Sequence, residues 1–375
     1  MKIVCISASF IPSNTANSIQ VVKATQALVE LGHQVVLLVP GEGLVDSEEI
    51  QAHYGLQQDL DIRWIKENLA FRRYDFALKS FQIAKNLEPD LVYTWVLQAA
   101  VMAVWGGIPT ILELHDRITG RFGPWLFRKF WKSKTTLRVL TNTNALREAL
   151  IREFELVSPE TKILVAPNGV DLACYRDMPN PTKARERLGL PSGFTAGYTG
   201  HFYSGRGMGL MFELARALPE VNFLWVGGEA PDVTLWESRL RAEGVKNITL
   251  TGFVPNQDVP LYQAASDVLL MPYGRHIAGS GGGDSAEIAS PMKMFEYMAA
   301  GRAIISSDLP VIHEVLDKNM AIFCNPEDLD AWQTALMSLK EDSQRREKLG
   351  KFSQDAVKSF TWYNRAQRAI SGFVN

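Results

Sequence analysis

Short apolar runs alternate with amphipathic stretches along nearly the whole chain. KIVCISA reads as a strand, SIQVVKATQALVELG as a helix ending at Gly32, and QVVLLVP as a second strand. A βαβ unit at the first residues predicts a parallel sheet covered on both faces. The rhythm continues through IRWI, LVYTW, TILEL, LRVLT and KILVAP. RDMPNPTKARERLGLPSG (176–193), with three prolines and clustered charge, interrupts it and reads as a linker. Alternation restarts with FTAGYT, VNFLWVGG, NITLTGF, DVLLMPY, AIISS and AIFCN, and DAVKSFTWYNRAQRAISGFV reads as one terminal helix. Two doubly wound domains follow, with ligand expected at the carboxyl ends of the strands, in the cleft between them. The domains are set at 1–175 and 176–357, with 358–375 as a final helix.

Composition fits this picture. Of 375 residues, 46% are hydrophobic and 21% charged, the balance of a globular protein of about two domains. A net charge of −2 gives no global reason to expect nucleic acid. Cys5, Cys174 and Cys324 are scattered and read as buried thiols in a reducing compartment. The N-terminal run is too short for a signal peptide. Leu91 to Leu112 carries no charge over 22 residues, long enough to span a bilayer. Its Gly-Gly-Ile-Pro turn instead predicts strand, helix, strand, so a cytoplasmic protein is expected. AGSGGGDSAE (278–287) reads as a mobile loop.

Two strand-to-helix junctions are candidates for phosphate. SASFIPSNTANS (7–18) contains no glycine, which argues against a dinucleotide fingerprint there. YTGHFYSGRGMG (198–209) has Gly200 and Gly205 at P-loop spacing, but Arg206 and Gly207 replace the Lys and Ser/Thr that would hold nucleotide and Mg²⁺. What remains is a loop of exposed N–H groups and one guanidinium, which suits an anion. In ASPMKMFEYMAAG (289–301), Ser290 reads as N-cap and Pro291 as the first helical residue. Lys293 then lies where the helix dipole repels it, one turn before Glu296. An external anion resolves that conflict. Arg206 and Lys293 are expected to converge on a diphosphate and neutralise it, and Glu296 to accept from ribose hydroxyls. The alternative is a surface ion pair worth a few tenths of a kcal/mol.

These stretches, with ANSIQVVKATQALVELGHQV (16–35), TILELHD (110–116), APNGVDL (166–172), TGFVPNQDVPLYQAASDVLLMPY (251–273) and SPMKMFEYMAAG (290–301), resemble the retaining glycosyltransferases of family 4. The resemblance implies a GT-B fold: two doubly wound Rossmann-like domains facing across a cleft, with a C-terminal helix crossing back. It implies metal-independent transfer from a nucleotide-diphosphate sugar, with no cofactor, to a glycan, lipid-linked or small-molecule acceptor. Residue by residue, it implies that Arg206 and Lys293 bind the diphosphate and Glu296 the ribose. His115 would lie near the donor sugar and the reacting centre, Asn17 in a cleft-lining first loop, and Phe253 and Val254 where the backbone reads the base. Gly200, His201, Ser290 and Pro291 complete the donor set.

Two departures stand out. Ile288 occupies the position of a second family glutamate, and His201 that of a common arginine. Other expectations on the same fold are a nucleotide-sugar epimerase and a non-catalytic nucleotide-sugar-binding protein. Asp59-Leu60-Asp61 and Asp328-Leu329-Asp330 spell a metal motif of another fold and are set aside; no metal site is expected. His33, His53 and His313 read as ordinary helix-end or loop residues. RITGRFGPWLFRKFWKSKTTLR (117–138) carries seven Lys or Arg, no acid and interleaved aromatics. It is a candidate contact for an anionic membrane, peripheral on its inner face, or else a helix packing its aromatics inward.

Overall fold

The computed structural model describes the whole chain except Leu44, Arg72, 278–285, Val374 and Asn375, and the side chains of Leu69 and Thr161. Most of the glycine-rich stretch 278–287 therefore lies outside the described residues. The chain divides into two compact units: Met1–Asn168 with Trp362–Asn375, and Gly169–Thr361.

The first unit is built on a seven-stranded sheet. Its strands are β1 (Lys2–Ile6), β2 (Gln34–Pro40), β3 (Asp61–Ile65), β4 (Leu91–Thr94), β5 (Thr110–Leu114), β6 (Thr136–Thr141) and β7 (Ile163–Val165). They run parallel in the order β3-β2-β1-β4-β5-β6-β7. The second unit has β8 (Thr195–Thr199), β9 (Asn222–Val226), β10 (Ile248–Leu250), β11 (Val268–Met271), β12 (Ala303–Ser307) and β13 (Ala321–Cys324). These are parallel too, in the order β10-β9-β8-β11-β12-β13. Each strand coincides with an apolar run in the sequence. Because helices cover both faces, β5, β8 and β12 are buried at every position.

In each sheet the strand order reverses once, between β1 and β4 and between β8 and β11. Such a reversal leaves a crevice beyond the strand ends, because successive helices turn away from each other there. Leu91–Leu112 resolves as β4, the helix Leu97–Trp105 and β5. Among the described residues, no helix is long and apolar enough to cross a membrane.

Three expectations are corrected. The stretch 176–193 is no free linker, because it contains the helix Pro181–Leu188, capped by Asn180 and closed by Gly189. Pro181 starts the helix rather than preventing it. Arg185 is buried there, donating to the Ala265 carbonyl at 2.8 Å and pairing with Asp267 at 2.9 Å. The terminal helix is two helices, Ser343–Ala356 and Trp362–Ile370. The break holds a turn at Val357–Ser359, and the Phe360 carbonyl accepts from the Val170 amide at 2.9 Å. Cys5 and Cys324 are buried, but Cys174 is only half-buried.

The loop between β8 and the helix Met208–Ala217 packs backbone to backbone on the segment after β11. Gly207 caps that helix at φ 79°, and a Cβ there would lie 1.9 Å from the Pro272 carbonyl oxygen. Gly207→Ala is therefore expected to destabilise the second unit. Left-handed strain alone costs about 1–2 kcal/mol, before the clash with backbone. An unchanged denaturation midpoint would show that the loop yields to the methyl group.

Candidate active site

In the second unit the site grows from the β8 and β11 loops at the reversal of strand order. Gly200, the first residue beyond β8, adopts φ 132°, and a side chain there would lie 2.8 Å from the Lys293 ammonium. The turn that follows returns the Arg206 amide to the Tyr203 carbonyl at 3.1 Å. The Arg206 guanidinium then rests 5.0 Å from the centroid of Tyr273, just after β11. His201 stacks flat on Tyr203 at 4.7 Å, while its carbonyl accepts from the Tyr198 hydroxyl at 2.7 Å.

Lys293 enters from the helix Met292–Ala300. That helix begins one residue later than expected. Pro291 is its extended N-cap, not its first helical residue, and makes no side-chain capping bond. Lys293 is also not a surface residue: its Nζ is buried and hydrogen-bonds to none of the described residues. The ammonium sits 3.6 Å from the Tyr198 ring centroid and 5.6 Å from that of Tyr273. Burial, and then the Arg206 charge, hold it well below the usual lysine range, while Glu296 pulls the other way. Cation–π contact offsets only part of the lost hydration.

Glu296, one turn on, is held by residues that the sequence reading passed over. Buried Gln263 donates from Nε2 to Thr199 Oγ1 at 3.2 Å and to Glu296 Oε2 at 3.3 Å, and accepts from the Tyr175 hydroxyl at 2.9 Å. Phe253 and Val254 follow β10. The Gly227 amide donates to the Gly252 carbonyl at 2.9 Å and ties their loop to the others. Val254 packs into a small core with Leu224 and Ala264, whereas Phe253 is 53% exposed. Ser290 and Ile288 are buried, and the Ile288 side chain brings no carboxylate to the site.

In the first unit, Asn17 lies in the first turn of the helix Ala16–Glu30, capped by Thr15, and not in the preceding loop. His115 follows β5. Its Nε2 lies 2.5 Å from Glu113 Oε1, and that carboxylate also binds Gln20, Tyr93 and Arg365. Sequence reading missed this cluster. The signal was an acid inside TILEL, where every neighbour is apolar or small. Neither Asp-Leu-Asp motif gathers ligands, since Asp61 pairs with Arg63 at 2.9 Å and Asp328 caps the helix Leu329–Glu341. Among the described residues no three His, Cys, Asp or Glu side chains are grouped where they would hold a metal ion.

The stretch 117–138 divides. Leu126, Phe127 and Phe130 of the helix Gly123–Trp131 are buried, and Arg138 donates to the Arg368 and Ala369 carbonyls. Phe122 and Trp125 remain exposed, beneath Arg121 and Lys129 at 5.6 and 5.7 Å.

Residues 18–173 match the model of Glycosyltransferase Family 4, and residues 194–342 that of Glycosyl transferases group 1. The chain belongs to the family 4 type glycosyltransferases. It is 27% identical over 188 residues to 2-deoxystreptamine glucosyltransferase of Streptomyces kanamyceticus, covering 48% of this chain and 46% of that one. Over 221 residues it is 27% identical to phosphatidyl-myo-inositol mannosyltransferase of Mycolicibacterium smegmatis, covering 57% and 52%. The matched segment thus spans about half the length of these curated relatives. In fold it is similar to the Anabaena protein HepE, crystallised with UDP: TM-score 0.76, 18% identity, 100% of this chain and 99% of that one. Both sheets accordingly form the two Rossmann-like halves of a GT-B glycosyltransferase.

A buried cation without a hydrogen-bond partner weakens the fold that holds it. Lys293→Met is therefore expected to raise the melting temperature of the ligand-free protein. A fall would show that the ammonium is held by interactions it contributes.

Proposed function

We propose that the protein transfers a hexosyl group from a nucleotide-diphosphate sugar to an acceptor hydroxyl, with retention of anomeric configuration and without a metal ion. The observation that carries this reading is the Lys293 ammonium, buried beside Arg206 at the β8–β11 reversal with no hydrogen-bond partner among the described residues. A buried charge of this kind is stabilised when a counter-charge arrives, and two adjacent cations match a diphosphate. In this reading they receive the negative charge that develops as the nucleotide leaves, the electrostatic role a divalent cation fills elsewhere.

Glu296, fixed by Gln263, takes the ribose hydroxyls. Gly200, His201, Ser290 and Pro291 line the phosphate path and Phe253 and Val254 the base, and Asn17 is a further donor contact. His115 acts at the reacting centre. The relatives, a glucosyltransferase and a phosphatidyl-myo-inositol mannosyltransferase, support a sugar donor and a glycan, lipid-linked or small-molecule acceptor.

Proton linkage tests the diphosphate site. Lys293 is depressed in the free protein, and a bound diphosphate raises its proton affinity. Between those two values binding takes up a proton from the buffer. Calorimetric titration with UDP, GDP and ADP over a series of pH values should give, for the nucleotide that binds, a heat that depends on buffer ionisation enthalpy within that window. Lys293→Met should abolish the dependence. Arg206→Ala should weaken binding by about 1.5–3 kcal/mol, roughly 10- to 150-fold. A buffer-independent heat in the unmodified protein would remove Lys293 from the site. Mass spectrometry with a panel of UDP-, GDP- and ADP-sugars in EDTA then separates transfer (a heavier acceptor) from epimerisation (an isomerised donor) and from binding alone.

For a lipid-linked acceptor, exposed Phe122 and Trp125 with Arg121, Arg128, Lys129, Lys132 and Lys134 form an anionic membrane contact at the inner face. Each cation near such a surface contributes about 1 kcal/mol. The protein should sediment with anionic liposomes at low salt. It should detach at 1 M salt, where the Debye length is about 3 Å, and after replacement of residues 128, 129, 132 and 134 by Ser. No sedimentation at low salt would favour a soluble acceptor.

A further inference from the structure

Glu113 is a buried carboxylate in a strand that is buried at every position. Its Oε1 accepts from Gln20 Nε2 at 2.6 Å, Arg365 Nη2 at 2.6 Å and His115 Nε2 at 2.5 Å, and its Oε2 accepts from the Tyr93 hydroxyl. Arg365 comes from the last helix, 1% exposed. Its Nε is anchored on the Pro167 carbonyl at 3.0 Å, and its Nη1 lies 3.5 Å from the Tyr93 oxygen.

The ionisable groups facing Glu113 are Tyr93 from β4, Cys5 from β1, His115 at its own strand end, and Arg365. Burial pushes the Cys5 thiol up to about 12 and Tyr93 well above its ordinary range, so neither carries charge at neutral pH. Burial opposes ionisation of Glu113, but Arg365 and then His115 outweigh it, and its carboxyl sits well below the usual carboxylate range. Among these groups, one permanent cation faces one anion.

An ionised carboxylate has no proton to give, so the His115 nitrogen bonded to it, Nε2, must carry one. Since Arg365 already balances Glu113, the imidazole is not needed as a second cation. We propose that Arg365 is a positioning residue that, through Glu113, holds His115 as the neutral Nε2–H tautomer and leaves Nδ1 as a bare hydrogen-bond acceptor. Such an acceptor suits a sugar hydroxyl, whereas an imidazolium would offer a donor to the same group. The inference rests on the proposed place of His115 at the reacting centre, but its protonation can be read without any sugar nucleotide.

The test is ¹⁵N NMR of the full chain labelled at its six histidines, with the His115 signals assigned by their loss in His115→Gln. Native protein at pH 8 should show a protonated Nε2 and a bare Nδ1. In Arg365→Met, Glu113 keeps His115 as its nearest ionisable partner. The ring should then hold its second proton to a pH at least one unit higher, a tenfold gain in proton affinity. Arg365→Gln should behave likewise and stands in if the Met variant fails to fold, and Arg365→Lys should restore the native titration. Identical titration and tautomer in native, Met and Gln proteins, or a bare Nε2 in the native protein, would overturn the proposal. Failure of sugar transfer with the NMR result intact would count against the proposed reaction instead.

Discussion

In both sheets every strand runs the same way, and the rest of the molecule depends on that. Parallel strands need crossover helices, the helices cover both faces, and the strands become dry along most of their length. A polar side chain inside such a sheet must find a partner or be destabilising. Unpaired chemistry is displaced to the carboxyl edge, where the chain leaves each strand. There β8 and β11 part, and glycine lets the two loops touch backbone to backbone, bringing Arg206 and Lys293 to one tyrosine ring, that of Tyr273.

Two buried charges, one in each unit, are treated in opposite ways. In the first, Glu113 is satisfied at both oxygens by donors from three other elements and its own strand end. Such a cluster has nothing left to offer a ligand except the far nitrogen of His115. In the second, Lys293 has aromatic faces around it but no hydrogen-bond acceptor among the described residues. The first arrangement fixes geometry; the second leaves a demand for an anion.

Much of the architecture was legible because a dry parallel strand has a simple signature, a short apolar run between turn residues. The prolines of 176–193 misled, because proline marks a helix start as readily as a linker, and only the burial of Arg185 tells them apart. The split near Val357 was hidden because both halves are amphipathic and the break is made by a contact with Val170, far away in sequence. At the site, helix-dipole reasoning singled out Lys293, but its burial between Tyr198 and Tyr273 needs three separate segments and no local pattern encodes it. Glu113 was visible, though passed over, as an acid in an apolar strand. Its partner Arg365 was not, since 252 residues separate them.

That separation also bears on the order of synthesis. Glu113 leaves the ribosome early, whereas Arg365 is made only after all of residues 169–361. Until then the first unit has its sheet but lacks the counter-charge for its buried carboxylate, and a nascent first unit must keep Glu113 hydrated or protonated. The second unit, contiguous in sequence, meets no such delay. The half of the molecule translated first is therefore expected to be the last to reach its final packing.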